Sequence, residues 1–470
     1  MKPQACALAW ILTAILARPS AAGALPGPTG SPLASANLAA VDTTAATDSL
    51  LTGTEESELA DTSRVRVELG ARADVTNESY YEDAFVDTTF LGRRLVNTPE
   101  RRHAGVLVAS WNGTRGLRSS RYWLLTELEA GDVLQRGYAS LQWKSPIGES
   151  WSLHLDPSFE ARHDRTFDRD LSESRASLSG RLRRDFADGF TGAEFGLRGD
   201  LLRSSGRGAE FLLDRNSAAV SGALDHLGVA GDEWRLGYSL TGRAFPDSTE
   251  RNHLEHGWEG RVHWVGDGPR PALTLETLVT RRVTFEAAST SRDNYWNAEG
   301  NLDARFGGTA AWPWTAGLGG ELFRYDREDS TLFFDYGIAR ARAALRWEPD
   351  GGWSLGLGPR GEILGAALDP GESYREIAGV LEAERLGSSS WWSAGLSSGW
   401  RDYDPTPAAG PHTPPLHSSF AFDELELTAD QPLAPHLKLR LLALLRWEMH
   451  VDRAQNAGSV YLSSELRWLP

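Results

Sequence analysis

Arginine recurs at every second position in several short stretches of this 470-residue chain. Arg340 and Arg342 show the spacing, with Arg346 close behind, and Arg181 and Arg183 repeat it. A guanidinium group is a planar fork of donors that binds carboxylates and other anions at two points. Residues two apart point to the same side of a β-strand, so the spacing predicts strands with one cationic face. We expect seven arginines to act together on such faces: Arg175, Arg181, Arg183, Arg198, Arg340, Arg342 and Arg346.

Motifs for catalysis and metal binding are weak. The sequence lacks His-Glu-x-x-His and a glycine-rich phosphate loop with lysine. His253 and His256, with Glu255 and Glu259 nearby, have the residue types of a metal site. A pair of polar loop histidines explains the same residues more simply. We therefore expect no metal site, no cofactor and no enzymatic activity.

The arginines lie within runs in which apolar and polar residues alternate. We count twenty such runs between residues 63 and 469, most of them long enough for the roughly 9–11 residues of a tilted transmembrane strand. In the first run, Val65, Val67 and Leu69 share one face, while Arg64 and Arg66 share the other. Strict alternation predicts strands whose two faces meet different surroundings. Four runs are poorly phased: 103–112, 209–224, 373–386 and 418–429.

The connections between runs alternate in length and composition. One set is short and rich in Gly, Pro and small residues: 145–150, 185–189, 348–352 and 387–390. The other set is longer and more charged: 76–102, 162–170, 246–255, 284–292, 326–332 and 403–417. Short turns at one end and long loops at the other are typical of membrane β-barrels.

Tryptophans flank the short turns. The stretch from Trp143 to Trp151 contains one such turn, and the stretch from Trp347 to Trp353 contains another. Aromatic side chains at one level of successive strands are typical of a membrane–water interface. Core aromatics of a soluble β-sandwich are the alternative, but a sandwich has no need to keep them at one end. The predicted girdle consists of Trp143, Trp151, Trp234, Trp264, Trp347, Trp353, Trp391 and Trp468.

The chain ends with an alternating segment, from Tyr461 to Pro470, that carries Trp468 near its end. This segment resembles the closing strand of bacterial outer-membrane β-barrels, whose terminal aromatic residue the barrel-assembly machinery recognises. Here the tryptophan stands third from the end, whereas in that class the aromatic residue is last. The resemblance spans roughly residues 63–470 and implies an all-β, antiparallel up-and-down transmembrane barrel. We expect about 20 strands, within a range of 18–22.

The first 62 residues differ from the rest. Residues 1–24 have the pattern of a cleaved signal peptide: Lys2, an apolar stretch over 5–17, and small residues at Ala22 and Ala24. The chain's one cysteine, Cys6, lies in this segment. Residues 25–62 lack aromatic and basic residues and carry six acids, which predicts a disordered acidic extension in the periplasm. The barrel then occupies residues 63–470.

Physical cost decides which face points inward. An arginine facing lipid at mid-depth costs about 2–4 kcal/mol, so the charged face must line the interior. In the well-phased runs basic residues outnumber acidic ones on that face, although the net charge of the chain is −16. A positive wall favours anions. The same residues also suit cross-strand ion pairs that only brace the wall.

These observations predict an outer-membrane channel for small polar solutes with a preference for anions. Its partners would be outer-membrane lipid, the assembly machinery and the solutes, and acidic loops argue against nucleic acid. A non-conducting structural or secretion-partner barrel with a salt-bridged, closed lumen is the alternative. A third class is an enzyme using His163 with Asp164 and Asp168 at the outer rim. The sequence leaves the solute and the oligomeric state open.

Overall fold

The structure is a computed structural model. It describes residues 62–86, 89–115, 120–166, 169–207, 214–266, 270–286, 294–307, 312–327, 335–349, 352–366, 370–404 and 417–468. The predicted signal peptide and all but the last residue of the predicted acidic extension lie outside these ranges. Within them, no helix is both long and apolar enough to cross a membrane.

Twenty antiparallel strands form one closed sheet. The first ten are β1 (Thr62–Val86), β2 (Thr89–Arg115), β3 (Ser120–Gly131), β4 (Leu134–Ile147), β5 (Trp151–Thr166), β6 (Arg169–Asp185), β7 (Thr191–Arg207), β8 (Arg215–Leu227), β9 (Glu233–Ala244) and β10 (His253–Trp264). The others are β11 (Ala272–Thr284), β12 (Tyr295–Phe306), β13 (Trp314–Tyr325), β14 (Tyr336–Trp347), β15 (Trp353–Ala366), β16 (Tyr374–Leu386), β17 (Trp391–Tyr403), β18 (Phe420–Ala434), β19 (Leu437–His450) and β20 (Ala457–Trp468). Short 3-10 turns occupy Thr249–Arg251, Pro370–Glu372 and Arg453–Gln455.

Each strand pairs with its neighbours in sequence, and the ring closes where β1 pairs with β20 from Leu69 to Ser79. Closure gives every strand two neighbours, so no edge with unpaired backbone groups runs along the wall. The predicted all-β, antiparallel up-and-down barrel of 20 strands is confirmed. Each of the twenty alternating runs corresponds to one strand.

The two faces of the sheet carry different side chains, as the alternation predicted. On β14, Arg340 and Arg342 share the face that makes ion pairs, whereas Leu345 and Trp347 are exposed on the other. The ion pairs identify the concave face, because some of them reach over a whole intervening strand. Side chains converge only on the inside of a closed sheet. The exposed large apolar side chains therefore lie mostly outside.

Three of the four poorly phased runs, those of β2, β16 and β18, share a physical cause, which is that large apolar side chains also occupy the inner face. Val106 and Val108 of β2 face inward beside Glu129 and Glu127 of β3 and are buried. Tyr374 of β16 and Phe420 and Phe422 of β18 do the same on the far wall. In such strands both faces are partly apolar, so the sequence alone gives no contrast. The fourth run, 209–224, was predicted to begin too early in the chain, since strand β8 begins at Arg215.

The connection expected over residues 76–102 is mostly strand. β1 has 25 residues and β2 has 27, and they pair with each other from Thr62↔Thr114 to Val86↔Thr89. β20 pairs with β1 only as far as Ser79, and β3 pairs with β2 only as far as Ala104. The two strands therefore project past their neighbours as a hairpin at the outer end. Charged residues within an alternating hairpin had suggested a loop.

Short turns at the opposite end are built from local hydrogen bonds. In the β6–β7 turn, Asp188 accepts hydrogen bonds from the backbone N–H groups of Phe190 (3.0 Å) and Thr191 (2.9 Å). The Thr191 hydroxyl donates a third at 2.6 Å, and Gly189 takes a positive φ of 70°. These donors, the Thr191 hydroxyl foremost, hold the pKa of Asp188 below its usual value. The turn thus fixes the register of the two strands.

Two gaps interrupt the ladder of paired residues in the wall, in addition to a register shift between Pro432 and Ala434 of β18. Between β4 and β5 the pairing passes from Ser140↔Ser158 to Trp143↔Leu155. Between β14 and β15 it passes from Arg342↔Arg360 to Leu345↔Leu357. A proline stands at each interruption, Pro157 in β5 and Pro359 in β15, and proline has no N–H for the ladder.

Gly358, next to the second interruption, is held in very close contact with β14. A Cβ atom at Gly358 would lie 1.7 Å from the carbonyl oxygen of Ala343, which is backbone. We expect Gly358→Ala to destabilise the barrel by about 1–3 kcal/mol, because the strands must separate to admit a methyl group. Urea unfolding of protein refolded in liposomes measures the change.

Gly365 provides a matched control on the same strand. A Cβ atom at Gly365 would meet nothing within 4 Å, so Gly365→Ala should leave the unfolding midpoint nearly unchanged. Equal midpoints for the two variants would contradict the close approach of β14 and β15 at Gly358.

Candidate functional site on the inner face of the barrel

All seven arginines predicted to act together lie on the inner face, in two groups. Arg175, Arg181 and Arg183 follow β6, and Arg198 lies on the adjacent β7. The other three, Arg340, Arg342 and Arg346, follow β14 on a distant part of the ring. The structure therefore does not bring the seven together into one cluster. It places them as two stripes with several strands between them.

Each of the seven guanidinium groups has a carboxylate partner. On the first wall, Asp200 accepts from Arg198 at 2.9 Å and from Arg175 at 3.4 Å. Asp156 lies 3.5 Å from Arg181. Arg183 donates both ends of its fork to Asp225, at 2.7 and 2.8 Å. On β14 the partners are Glu362 for Arg340 (2.6 Å), Asp303 for Arg342 (2.6 Å) and Glu382 for Arg346 (2.8 Å).

Several of these ion pairs reach across an intervening strand, where a glycine makes room for them. Arg342 of β14 reaches Asp303 of β12 over Gly317 of β13, whose added Cβ would lie 2.6 Å from both partners. Arg183 of β6 likewise passes over Gly192 of β7, where a Cβ would lie 2.3 Å from the guanidinium group. The side chains therefore lie flat along the wall. They do not extend across the interior.

Exposure of the inward-facing charges shows that part of the interior is hollow. The Arg342 side chain is 68% exposed although it faces inward and is ion-paired. Arg261 of β10 and Glu276 of β11 are 52% and 55% exposed on the same face. Side chains at such positions would be buried if other protein groups filled the lumen beside them. Among the described residues, the walls around β10 to β14 border open space.

A second part of the inner face is a continuous network of charges across β14 to β19, which we call the inner belt. Its members are linked by distances of 2.6 to 3.9 Å: Arg340, Glu362, Arg401, Glu376, Arg360, Glu424, Arg446 and Glu448. Arg401 is nearly buried, donates to Glu376 at 2.6 and 2.9 Å, and lies 4.1 Å from the ring centre of Tyr374. Four arginines meet four glutamates here, so the belt is close to neutral.

Above the inner belt, the outer ends of the same strands form a packed apolar cluster inside the barrel. Tyr374 and Phe422 are each 1% exposed, and Leu364 is 2% exposed. Residues of two outer connections pack against it. The His417 ring packs at a tilt against Tyr403, with ring centres 4.8 Å apart, and its Nε2 lies 2.9 Å from a carboxylate oxygen of the fully buried Glu372. This sector of the lumen is filled, in contrast to the open wall around β10 to β14.

Sequence reasoning missed the inner belt and the packed cluster. Their signal was the poor phasing itself, since Tyr374, Phe420 and Phe422 fall on the polar face of their strands. The same strands turn six acids inward: Glu376, Glu382, Glu384, Glu424, Glu426 and Asp430. These acids offset the surplus of basic residues that the well-phased runs gave the wall. The expected excess of positive charge is therefore not a property of the whole inner face.

Seven of the eight predicted girdle tryptophans lie on the outer face at the short-turn ends of their strands. Trp151 and Trp353 begin β5 and β15, and Trp347 ends β14. Trp391 lies on the inner face instead, where its indole N–H donates to Glu384 at 3.0 Å. The next residue, Trp392, takes the outer position against Trp353, with ring centres 4.9 Å apart. A pair of adjacent tryptophans does not reveal which one faces out.

The candidate metal and catalytic groups are not brought together. Strand β10 turns His253 inward and His256 outward, because they are three positions apart and the faces alternate. Glu255 and Glu259 face inward, away from His256. In β5, His163 faces outward while Asp164 faces inward and is 1% exposed. Asp168 lies outside the described residues, within which no three His, Asp or Glu side chains form a metal-binding group.

Solved structures with a similar fold span most of the chain. The copper transporter OprC gives a TM-score of 0.54 at 12% identity, covering 88% of this chain and 81% of OprC. The ferric-catecholate import receptor Fiu from K12 E. coli gives 0.50 at 8% identity, covering 86% and 82%. OccK11 (OpdR) of Pseudomonas aeruginosa gives only 0.41 at 13% identity, covering 86% and 96%.

At these identities the similarity concerns the fold. No protein-family model and no curated protein matches the sequence. The closed antiparallel ring superposes on OprC over most of both chains. The chain therefore has the fold of a bacterial outer-membrane β-barrel.

Proposed function

We propose that this chain is a transport barrel of the bacterial outer membrane that passes small polar solutes through its charged interior and prefers anions. The observation that carries the proposal is the exposure of inward-facing charges such as Arg342, which borders open space although it is ion-paired. Barrels of 16–18 strands already leave an aqueous channel, so a ring of 20 strands is wide enough for one.

Several further features support a conducting path. The side chains that would obstruct it lie along the wall, over Gly192 and Gly317. The packed cluster around Tyr374 occupies one sector near the outer end and leaves the walls around β10 to β14 open. A path beside that cluster would be asymmetric, with a charged wall facing an apolar and aromatic one. Such a path selects solutes by charge and by size.

The preference for anions rests on the seven arginines placed in two stripes. Each is ion-paired, so the pairs act as dipoles fixed to the wall. Arg198 and Arg342 are more than half exposed, whereas their partner Asp200 is largely buried and Asp303 is less exposed than Arg342. Because the cation is the more accessible member of these two pairs, a solute in the lumen meets positive charge first at both places.

A closed, structural barrel is the second candidate. The observation that favours it is the inner belt, which braces six adjacent strands, together with the buried contact of Glu372 with His417 above it. If outer connections filled the remaining lumen in the same way, the barrel would anchor or assemble other proteins and conduct nothing.

The outer face provides a test of the membrane assignment. Val279 and Leu278 are neighbours near the middle of β11, but Val279 faces outward beside Trp258, and Leu278 faces inward between Glu259 and Glu299. We expect Val279→Arg to lower stability in liposomes by about 2–4 kcal/mol, because it places a charge in lipid. Leu278→Arg gains carboxylate neighbours and should be neutral or stabilising. Equal losses, measured by urea unfolding, would contradict the assignment of faces.

Charge selectivity provides a test of the function. In planar bilayers with a KCl gradient we expect discrete conductance steps and a reversal potential on the anion-selective side. Arg342→Gln leaves Asp303 unpaired and should lower the chloride-to-potassium permeability ratio by roughly twofold, whereas Asp303→Asn should raise it by a similar factor.

Arg375 of β16 provides the matched control for that experiment. It faces outward opposite Ile363, so Arg375→Gln removes the same charge from the other side of the wall. Its permeability ratio should equal that of the unmodified protein. A protein that inserts fully and gives no conductance steps would establish the closed barrel instead.

A further inference from the structure

Near the outer end of the inner face, the strands β8 to β11 carry more guanidinium groups than carboxylates. Arg243 of β9 lies directly opposite His253 of β10, and Glu255, the next inward residue of β10, lies opposite Arg282 of β11. Arg215 of β8 is one inward position from Ser217, which pairs with Arg243. We call Arg215, Arg243, His253 and Arg282 the outer arginine patch. It is separate from the seven arginines predicted from sequence.

Carboxylates do not balance this patch. Glu255 is bound by Arg243 at 3.1 Å, although Arg282 is its direct neighbour in register. Among the described residues, no carboxylate forms an ion pair with Arg282 or Arg215. Asp200, the next acid along the wall, is already shared by two other arginines. Within the described residues, two of the three cations therefore lack an ion-pair partner.

His253 adds a second, independent observation. Its side chain is 2% exposed, and its Nδ1–H donates to the carbonyl oxygen of Arg251 at 2.8 Å, which leaves Nε2 buried without a partner. Arg243 lies opposite His253 in the register with β9, and Arg282 is one inward position from Thr284, the partner of His253 on β11, so arginines flank the ring from both neighbouring strands. The Nε atoms of Arg215 and Arg282 are also buried without partners. Buried polar groups without partners are uncommon and costly, which marks the patch as electrostatically incomplete.

Aromatic rings pack against one side of the patch. The Arg282 guanidinium carbon lies 5.9 Å from the ring centre of Tyr295, and Tyr295 packs against Phe323 with ring centres 4.7 Å apart. Such stacking holds the plane of a guanidinium group in one orientation. A guanidinium group held in one orientation loses less conformational freedom when it binds two oxygen atoms of an anion.

We propose that the outer arginine patch binds a small oxyanion, a phosphate or a carboxylate, that enters the lumen from the outer side. The guanidinium ends of Arg215 and Arg282 supply paired donors, and the oxyanion supplies the negative charge that the protein leaves out at this place. The inference deepens the proposed function, since it makes the patch the first binding point on the solute path. Binding itself does not require that the barrel conduct.

The test is equilibrium dialysis of the full-length purified barrel in detergent against radiolabelled inorganic phosphate, with citrate as competitor. We expect saturable binding of phosphate to the unmodified protein. The double variant Arg215→Gln/Arg282→Gln should weaken it by at least about tenfold, because two charge-assisted hydrogen-bonding groups are removed. Competition by citrate would extend the ligand class to carboxylates, and its absence would restrict the class to phosphates.

Arg261→Gln is the matched control. Arg261 faces inward on β10 as well, but it lies toward the short-turn end and has Glu276 at 3.6 Å. Its phosphate affinity should stay within about twofold of the unmodified protein. Heat-modifiable mobility on gels establishes that each variant is folded.

The outcomes separate this site from the proposed transport function. An absence of saturable phosphate binding, or equal binding by the folded double variant, would overturn the site even in a conducting barrel. Binding that depends on Arg215 and Arg282 in a barrel without conductance steps would uphold the site and refute transport. Slowing of single-channel current by phosphate, relieved in the double variant, would support both.

Discussion

The structure depends on the pairing of β1 with β20. Leu69 to Ser79 form this contact, and it turns an open sheet of twenty strands into a ring. Without it two strand edges would present unpaired backbone groups along the whole wall, which a lipid bilayer does not tolerate. Once the ring is closed, successive side chains along each strand point alternately into the barrel and out of it. The charge and the packing of the interior follow from which residues face inward, and its width follows from the number of strands.

Much of the fold was accessible from sequence because parity is visible where the two faces contrast. β1 and β14 alternate between apolar residues and arginines, so their faces were predictable. The individual ion pairs were not: Glu362 on one neighbouring strand binds Arg340, whereas Glu321 on the other accepts a hydrogen bond from the hydroxyl of Tyr336 at 2.8 Å. Where the interior is itself packed, as at Tyr374 and Phe422, the contrast disappears. The sequence was least informative where the inner face carries a packed apolar cluster.

The candidate site shows the same division. Sequence placed the arginine stripes on the inner face, yet it did not find the outer arginine patch, because Arg215 begins a strand whose start was misplaced and His253 appeared to belong to a loop. It also counted acids only in the runs whose faces were clear. Glu376 and Glu424 could be counted among the inward-facing acids only when the registers of β16 and β18 were known. Local charge, more than the total, decides what this interior attracts.

The two interruptions of the ladder, at Pro157 and at Pro359, lie half a ring apart in the order of 20 strands. They divide the ring into two arcs of ten strands, and the register shift at Pro432 in β18 adds a third break inside one arc. Fewer cross-strand bonds resist bending at such places. We therefore expect a change in the roundness of the barrel to affect residues such as Arg342 and Arg360 first, because they form the last pair before the gap at Pro359.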